Sequence, residues 1–336
     1  MPDKKKKKTK KQKKALSRII IALILIVILF LLLCLVTAGQ DRLDAEGNAS
    51  GIPMLELPEP IPGEQIIEHT GYTLSYNEEY EVASWVAYEL TRDEVLGEGS
   101  REDDFKSDPA VRTGSATLAD YRNSGYDRGH LAPAADFKWS EEAMSDTFYL
   151  SNMTPQEGTF NRGIWADLES VVRTFAYDNG SVYVVTGPVL TDGPYKTIGS
   201  NKVAVPKRFY KVILDYTEPE LKAIGFVLPN EKSDKRLQSF AMSVDEVEEI
   251  TGINFFPALP DDQEEELESS YDVSLWSFNK FYANGEKPSG DVTYVTTGSS
   301  AEDSIIDTIL SLFVVLKTSI FEYFGLEGLA ESLGLL

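Results

Sequence analysis

The chain is short of the residues that carry the most distinctive chemistry. Its 336 residues include one cysteine and two histidines. A single cysteine, Cys34, excludes any disulfide within the chain, so stability must come from a packed core. Cys34 also lies in an apolar run with Leu33 before it, where lipid attachment would need a small residue. His69 and His130 are the only positions open to imidazole chemistry. Positive charge is scarce as well: 32 Lys and Arg face 54 Asp and Glu, for a net charge of −22. Such a charge repels nucleic acid at long range and is the strongest compositional argument against a nucleic-acid function. It leaves room for a local cationic cleft or a divalent metal, which can act against an unfavourable overall field. The chain has no internal repeat, no regular βαβ alternation and no segment suited to reading bases.

What is present changes along the chain. Residues 1–18 form a basic tail, with ten Lys or Arg and one Asp. An uncharged run of 18 residues, Ile19–Val36, follows. As a helix it would span about 27 Å at about 1.5 Å per residue, close to a bilayer's hydrocarbon thickness. Residues 19–38 are therefore expected as a transmembrane anchor, with the basic tail cytoplasmic and the rest outside the cell membrane. A cleaved signal peptide is the rival reading, because Val36 and Ala38 offer small residues to a peptidase. Residues 39–64, rich in Gly, Pro and acid, read as a flexible linker, and a folded domain is expected over 65–281. Residues 282–303 read as a second linker, and 304–336 as an amphipathic helix. That helix is open to a membrane interface, to homodimer formation or to docking on the domain.

Within 65–281 the segments 85–90, 181–190, 203–216 and 221–230 read as strands. Helical spacing covers "SEEAMSDTFYL" and "NRGIWADLESVVRTFAY", and 243–256 reads as a short capped helix ended by Gly252. The acidic run 261–270 reads as solvated surface. Interspersed strands and helices favour an α+β class, with a largely antiparallel central sheet flanked by helices.

Two segments carry candidate chemistry. "DYRNSGYDRGHLAPAADF" places His130 beside Asp127, Arg128 and Gly129; alone, it could be a turn with Asp127 bonded to its own backbone. "NRGIWADLESVVR" sets Asn161, Trp165, Glu169 and Arg173 four residues apart, on one helical face. The stripe could be a surface ladder with Glu169 and Arg173 paired. Trp165 argues instead that the face turns inward, where polar groups need partners such as a hydrated metal ion beside a phosphate.

Together, the stretches "DYRNSGYDRGHLAPAADFKWS", "DTFYLSNMTPQ" and "NRGIWADLE" resemble the DNA/RNA non-specific endonucleases. Weaker similarity runs through "VYVVTGPVL", "VPKRFYKVIL", "GFVLPN" and "GINFFPALP", so the resemblance covers roughly residues 70–276. It implies a ββα-metal core in which a strand pair presents His130 as general base and the next helix presents Asn161 as ligand of Mg²⁺, with Mn²⁺ as a substitute. It implies further that Glu169 orients metal-bound water and that Arg128 and Arg173 lie near the scissile phosphate. Arg162 replaces the family's usual glutamine after the metal-binding asparagine and reads as a solvated side chain. Arg101 aligns loosely with another phosphate-binding arginine, Asp127 is expected to shape its loop, and His69 to be incidental in a tether-like stretch.

The expected activity is hydrolysis of phosphodiester bonds in DNA and RNA outside the membrane. The alternatives are a phosphodiesterase for smaller nucleotides and a surface binding protein on a retired nuclease fold.

Overall fold

β-Branched and aromatic runs supply the strands of one large sheet. The computed structural model describes residues 52–101 and 103–281. In chain order the strands are β1 (Gln65–His69), β2 (Tyr72–Asn77), β3 (Val82–Thr91), β4 (Asp127–His130), β5 (Met153–Gln156) and β6 (Ser181–Pro188). There follow β7 (Lys196–Ile198), β8 (Val203–Val205), β9 (Arg208–Asp215), β10 (Lys222–Pro229) and β11 (Ala241–Met242). Seven of them form a sheet in the order β1-β2-β3-β6-β9-β10-β11, and each neighbouring pair is antiparallel. The pairs β4-β5 and β7-β8 form two small ribbons beside it.

Both faces of the large sheet are covered, so its central strands are buried along nearly their whole length. Four helices matter here: α1 (Glu141–Asp146), α2 (Ala166–Asn179), α3 (Val244–Thr251) and α4 (Asp261–Glu268). On one face α2 lays down Leu168, Val171, Val172, Phe175 and Ala176, the spacing of one helical stripe, against Val86, Tyr88, Val184 and Ile213. Trp276 closes this layer, with its ring 4.6 Å from that of Phe175. On the other face Val244 and Val247 of α3 and Leu267 of α4 pack with Trp85, Val185 and Val212. Helix α3 starts with a reciprocal cap between Ser243 and Glu246 and stops at Gly252, whose φ of 72° suits a residue without a side chain.

Several expectations are corrected. The apolar run 203–216 is not one strand: Pro206, which has no N–H for a ladder, separates β8 from β9, and the two enter different sheets. Helix α1 covers only the first part of its segment; a 3₁₀ turn, Leu150–Asn152, follows. Within the expected linker, Leu55 is fully buried in the second core layer, and Glu64 accepts hydrogen bonds from Ser75, Asn77 and Ser84. The acidic run is helical and not uniformly solvated. Glu268 is buried there, and burial with the nearby charges of Glu248, Glu264 and Asp245 pushes its carboxyl up to about 9.

His69 is no tether residue either. It lies on β1, where Nε2 is 2.9 Å from Asp108 Oδ2 and the ring stacks 4.7 Å from Tyr149. Among the described residues no helix is long and apolar enough to cross a membrane. The expected basic tail, anchor, second linker and C-terminal helix lie outside the described residues.

Phe175 is fully buried between α2 and the sheet, and truncating such a side chain costs about 3–5 kcal/mol. Phe175→Ala is therefore expected to lower unfolding free energy by that amount in urea titration.

Candidate active site

The site begins with a four-residue ribbon. In the β4-β5 ladder Asp127 pairs with Gln156, Arg128 with Pro155, Gly129 with Thr154 and His130 with Met153. Gly129 is required by a close approach: a Cβ there would fall 2.1 Å from the Gln156 side chain. Beyond His130 the buried Asn152 carboxamide fixes the chain. It accepts from Ala132 N–H at 2.9 Å and donates to the carbonyls of Ala132 and Thr147 at 2.9 and 2.8 Å. At the other end Asn230, just past β10, accepts from Glu157 N–H and donates to the carbonyls of Pro155 and Pro206. One carboxamide thus ties the ribbon to the large sheet.

His130 is 8% exposed. Its ring lies 5.1 Å from Phe148, edge to face, and 5.8 Å from Phe105. Two guanidiniums cover the same aromatic rings, Arg128 4.1 Å over Phe105 and Arg101 5.1 Å over Phe148. Burial first, then the charges of Arg101 and Arg128, lower the His130 pKa to about 3. The imidazole is therefore neutral at pH 7, and its Nε2 is buried without a hydrogen-bond partner. The side-chain amide of Gln156 and Nε of Arg128 are likewise buried and unpartnered. Buried polar groups normally find partners, so this concentration marks a place prepared for a ligand or water.

Asn161 opens a π-helical turn, Asn161–Trp165, that leads into α2. Gly163 departs from helical geometry at φ −112° and ψ −117°, so Asn161 does not continue the α2 stripe. Its Nδ2 instead donates to Asp127 Oδ2 at 3.1 Å, which leaves the amide oxygen to another partner. Asp127 stands on β4 and not in a loop, and it orients Asn161. No hydrogen bond joins Asn161 to His130 among the described residues; Asp127, on the strand that carries His130, is the link to Asn161. Arg162 is solvated as expected, with Nη1 3.4 Å from Asp127.

Glu169 is drawn into a third group. Burial pushes its carboxyl upward, opposed chiefly by Lys211 and then by Arg173. Sequence reading missed Lys211. It stands on β9 between Tyr210 and Val212 but on the opposite face, fully buried, with Nζ 5.0 Å over the Trp165 ring and no hydrogen-bond partner. Burial pushes this ammonium downward, and the Glu169 charge counters that. The surface pairing of Glu169 with Arg173 does not form: Arg173 Nη1 donates to buried Asp136 at 2.8 Å, and Asp136 also accepts from Tyr88. Arg101 acts electrostatically on both His130 and Glu169, which links the two groups.

The residues fit a hard divalent cation. The amide oxygen of Asn161 is the kind of donor Mg²⁺ accepts, and Mg²⁺ often takes one or two protein oxygens and keeps water for the rest.

The fold and its family relationship make the protein a hydrolase acting on nucleic acids. Residues 52–262 match the DNA/RNA non-specific endonuclease family, and the chain belongs to it. Nuclease C1 of Cunninghamella echinulata var. echinulata is 41% identical over 222 residues, 61% of this chain and 88% of that protein. Mitochondrial endonuclease G of Homo sapiens is 39% identical over 212 residues, 59% of this chain and 71% of that one. Mitochondrial nuclease EXOG of Danio rerio is 38% identical over 238 residues, covering 66% and 69%. A crystal structure of an EndoG/EndoGI complex superposes with a TM-score of 0.56 at 37% identity, over 60% of this chain and 90% of that one.

These relatives correct the expected location. Endonuclease G and EXOG are named as mitochondrial proteins, and no described helix is long and apolar enough to cross a membrane. Placement in the cell membrane, with the domain outside, is therefore not retained.

The depressed His130 pKa has a thermodynamic consequence. Unfolding lets the imidazole return to about 6.5, so between about 6.5 and about 3 the unfolded chain binds a proton that the folded chain does not. Stability is fully present above about 6.5 and falls as pH drops through this window. In His130→Asn, urea midpoints measured from pH 7 to 4 should fall less steeply than in the wild type.

Proposed function

We propose that the chain is an endonuclease cutting both DNA and RNA with little sequence preference, using His130 as general base. One observation carries this reading: the buried, unpartnered Nε2 of a neutral imidazole beside two guanidiniums. A general base must reach its proton while deprotonated, and His130 is deprotonated throughout the neutral range.

The low proton affinity of the free chain does not disqualify it. Part of the depression comes from Arg101 and Arg128, the groups suited to hold a phosphodiester. A phosphate between them offsets their charge, so the imidazole becomes a stronger base when substrate is bound. His130 then takes a proton from water as that water attacks phosphorus in line.

Asn161, oriented by Asp127, is the residue that would hold Mg²⁺, with Mn²⁺ as a substitute. When bound, this cation stabilises charge building on the phosphorane and on the leaving 3′ oxygen. Glu169, whose buried carboxyl is pushed up to about 7 against the opposing charges of Lys211 and Arg173, is in its ionised form the acceptor that orients water in the cleft. Arg173, anchored at Nη1 by Asp136, reaches substrate only through its other donors. Nearest the imidazole, the phosphate grip falls to Arg128 and Arg101. Together these residues form a ββα-metal arrangement: the β4-β5 ribbon, then the helical segment from Asn161 through α2. The absence of base-reading elements among the described residues supports cleavage governed by backbone contacts.

The test incubates the full chain with supercoiled plasmid, RNA and bis(p-nitrophenyl) phosphate, in Mg²⁺ or EDTA. Both polymers should be cut in Mg²⁺ only. His130→Ala should lose about 10²–10⁴-fold in rate, and Asn161→Ala should be comparably silent. Folded wild type that cleaves only the small diester would sink the polymer assignment. A His130→Ala variant of undiminished rate would sink the general-base role.

Lys211→Met makes a separate prediction. Without the ammonium beneath Trp165, the Glu169 carboxyl rises further, so the acid limb of kcat/KM should move to higher pH with the alkaline limb unchanged. An unmoved acid limb would show that Lys211 does not act on the carboxylate.

A further inference from the structure

Helices α3 and α4 lie on the sheet face opposite α2, and they meet at a group of carboxylates that no catalytic residue touches. Asp245 and Glu248 are three residues apart on α3 and share a helical face. Glu268 comes from the last turn of α4. One carboxylate oxygen from each lies within 4.8 Å of the other two. That span is about twice a Ca²⁺–oxygen bond of roughly 2.4 Å, so a single ion can touch all three.

Acidic groups gather on many surfaces without binding anything, but Glu268 sets this one apart. It is 3% exposed, and its Oε1 has no hydrogen-bond partner. A buried carboxylate is costly without compensation. Yet none of the three is in an ion pair with Lys or Arg among the described residues. Glu248 is already positioned, since its Oε1 accepts the Phe255 N–H at 2.7 Å. Glu264, one turn before Glu268 on α4, adds further negative potential.

We propose that Asp245, Glu248 and Glu268 form a Ca²⁺ site that clamps α4 onto α3, separate from the site around His130. All the donors are carboxylate oxygens, which suits a hard cation and not the nitrogen and sulfur preferences of zinc. Ca²⁺ fits better than Mg²⁺. It accepts about six to eight oxygens in flexible geometry and sheds water readily, whereas Mg²⁺ needs a near-ideal octahedron and holds its water. Waters from the exposed Asp245 side would complete the shell. The site's effect is mechanical: it joins two helices whose apolar residues cover one face of the sheet.

The experiment uses the full chain carrying Asn161→Ala, so that the amide ligand proposed for the catalytic cation is absent. After EDTA treatment and dialysis, thermal melting and calorimetric titration follow added Ca²⁺ or Mg²⁺ alone. Millimolar Ca²⁺ should raise Tm by several degrees and titrate to one ion per chain, with a smaller response to Mg²⁺. Adding Glu268→Gln, which keeps shape and volume, should abolish both signals. Asp245→Asn, at an exposed position, should weaken Ca²⁺ binding at least tenfold. No Ca²⁺ response in the Asn161→Ala chain would overturn the site and leave a proton shared between carboxyls. An undiminished response in both added variants would place Ca²⁺ elsewhere, and an equal or larger Mg²⁺ response would overturn the choice of ion.

Discussion

The four residue pairs of the β4-β5 ladder position the proposed base, and a ribbon that short does not hold its shape unaided. Its order is borrowed from both ends. The Asn152 carboxamide locks the chain just beyond His130 to the loop after α1, and Asn230 fastens the far end to the margin of the large sheet. Between them Gly129 lets the Gln156 side chain cross the strand. Imidazole placement therefore depends on two asparagines that need never touch substrate.

Charge within the site is organised by burial more than by ion pairs. Phe105 and Phe148 exclude water around His130 and are themselves covered by guanidiniums, so the base stays neutral where cations gather. Beneath Trp165 the reverse holds: a buried ammonium is tolerated because a carboxylate faces it. Arg101 reaches both groups electrostatically. A chain with net charge −22 thus keeps a small positive region where an anion would sit.

Much of this was legible in the sequence because residue type and spacing reported it directly. The Asp-Arg-Gly-His cluster and the later asparagine pointed to a family, and the apolar runs gave the central strands. Other features were hidden for physical reasons. Lys211 sits in an otherwise apolar strand, and only the fold shows that its position faces Glu169. Uniform helical spacing from Asn161 to Arg173 is broken by the π-turn at Gly163. Arg173 chose Asp136, a partner 37 residues away that no local pattern reveals. His69 looked like tether because its partner, Asp108, comes from a distant loop. The break at Pro206 is legible, since a proline inside an apolar run argues against a continuous strand.

Asn230 also gives the molecule a way to age. Its Nδ2 hydrogens hold the carbonyls of Pro155 and Pro206 at once. Hydrolysis of that amide would turn the donor into a carboxylate oxygen facing two carbonyl oxygens, with nothing left to donate. Attraction would become repulsion at the point where the ribbon joins the sheet. A single spontaneous chemical lesion, remote from the histidine and invisible in the composition, would loosen the scaffold under the base while leaving every proposed catalytic side chain intact.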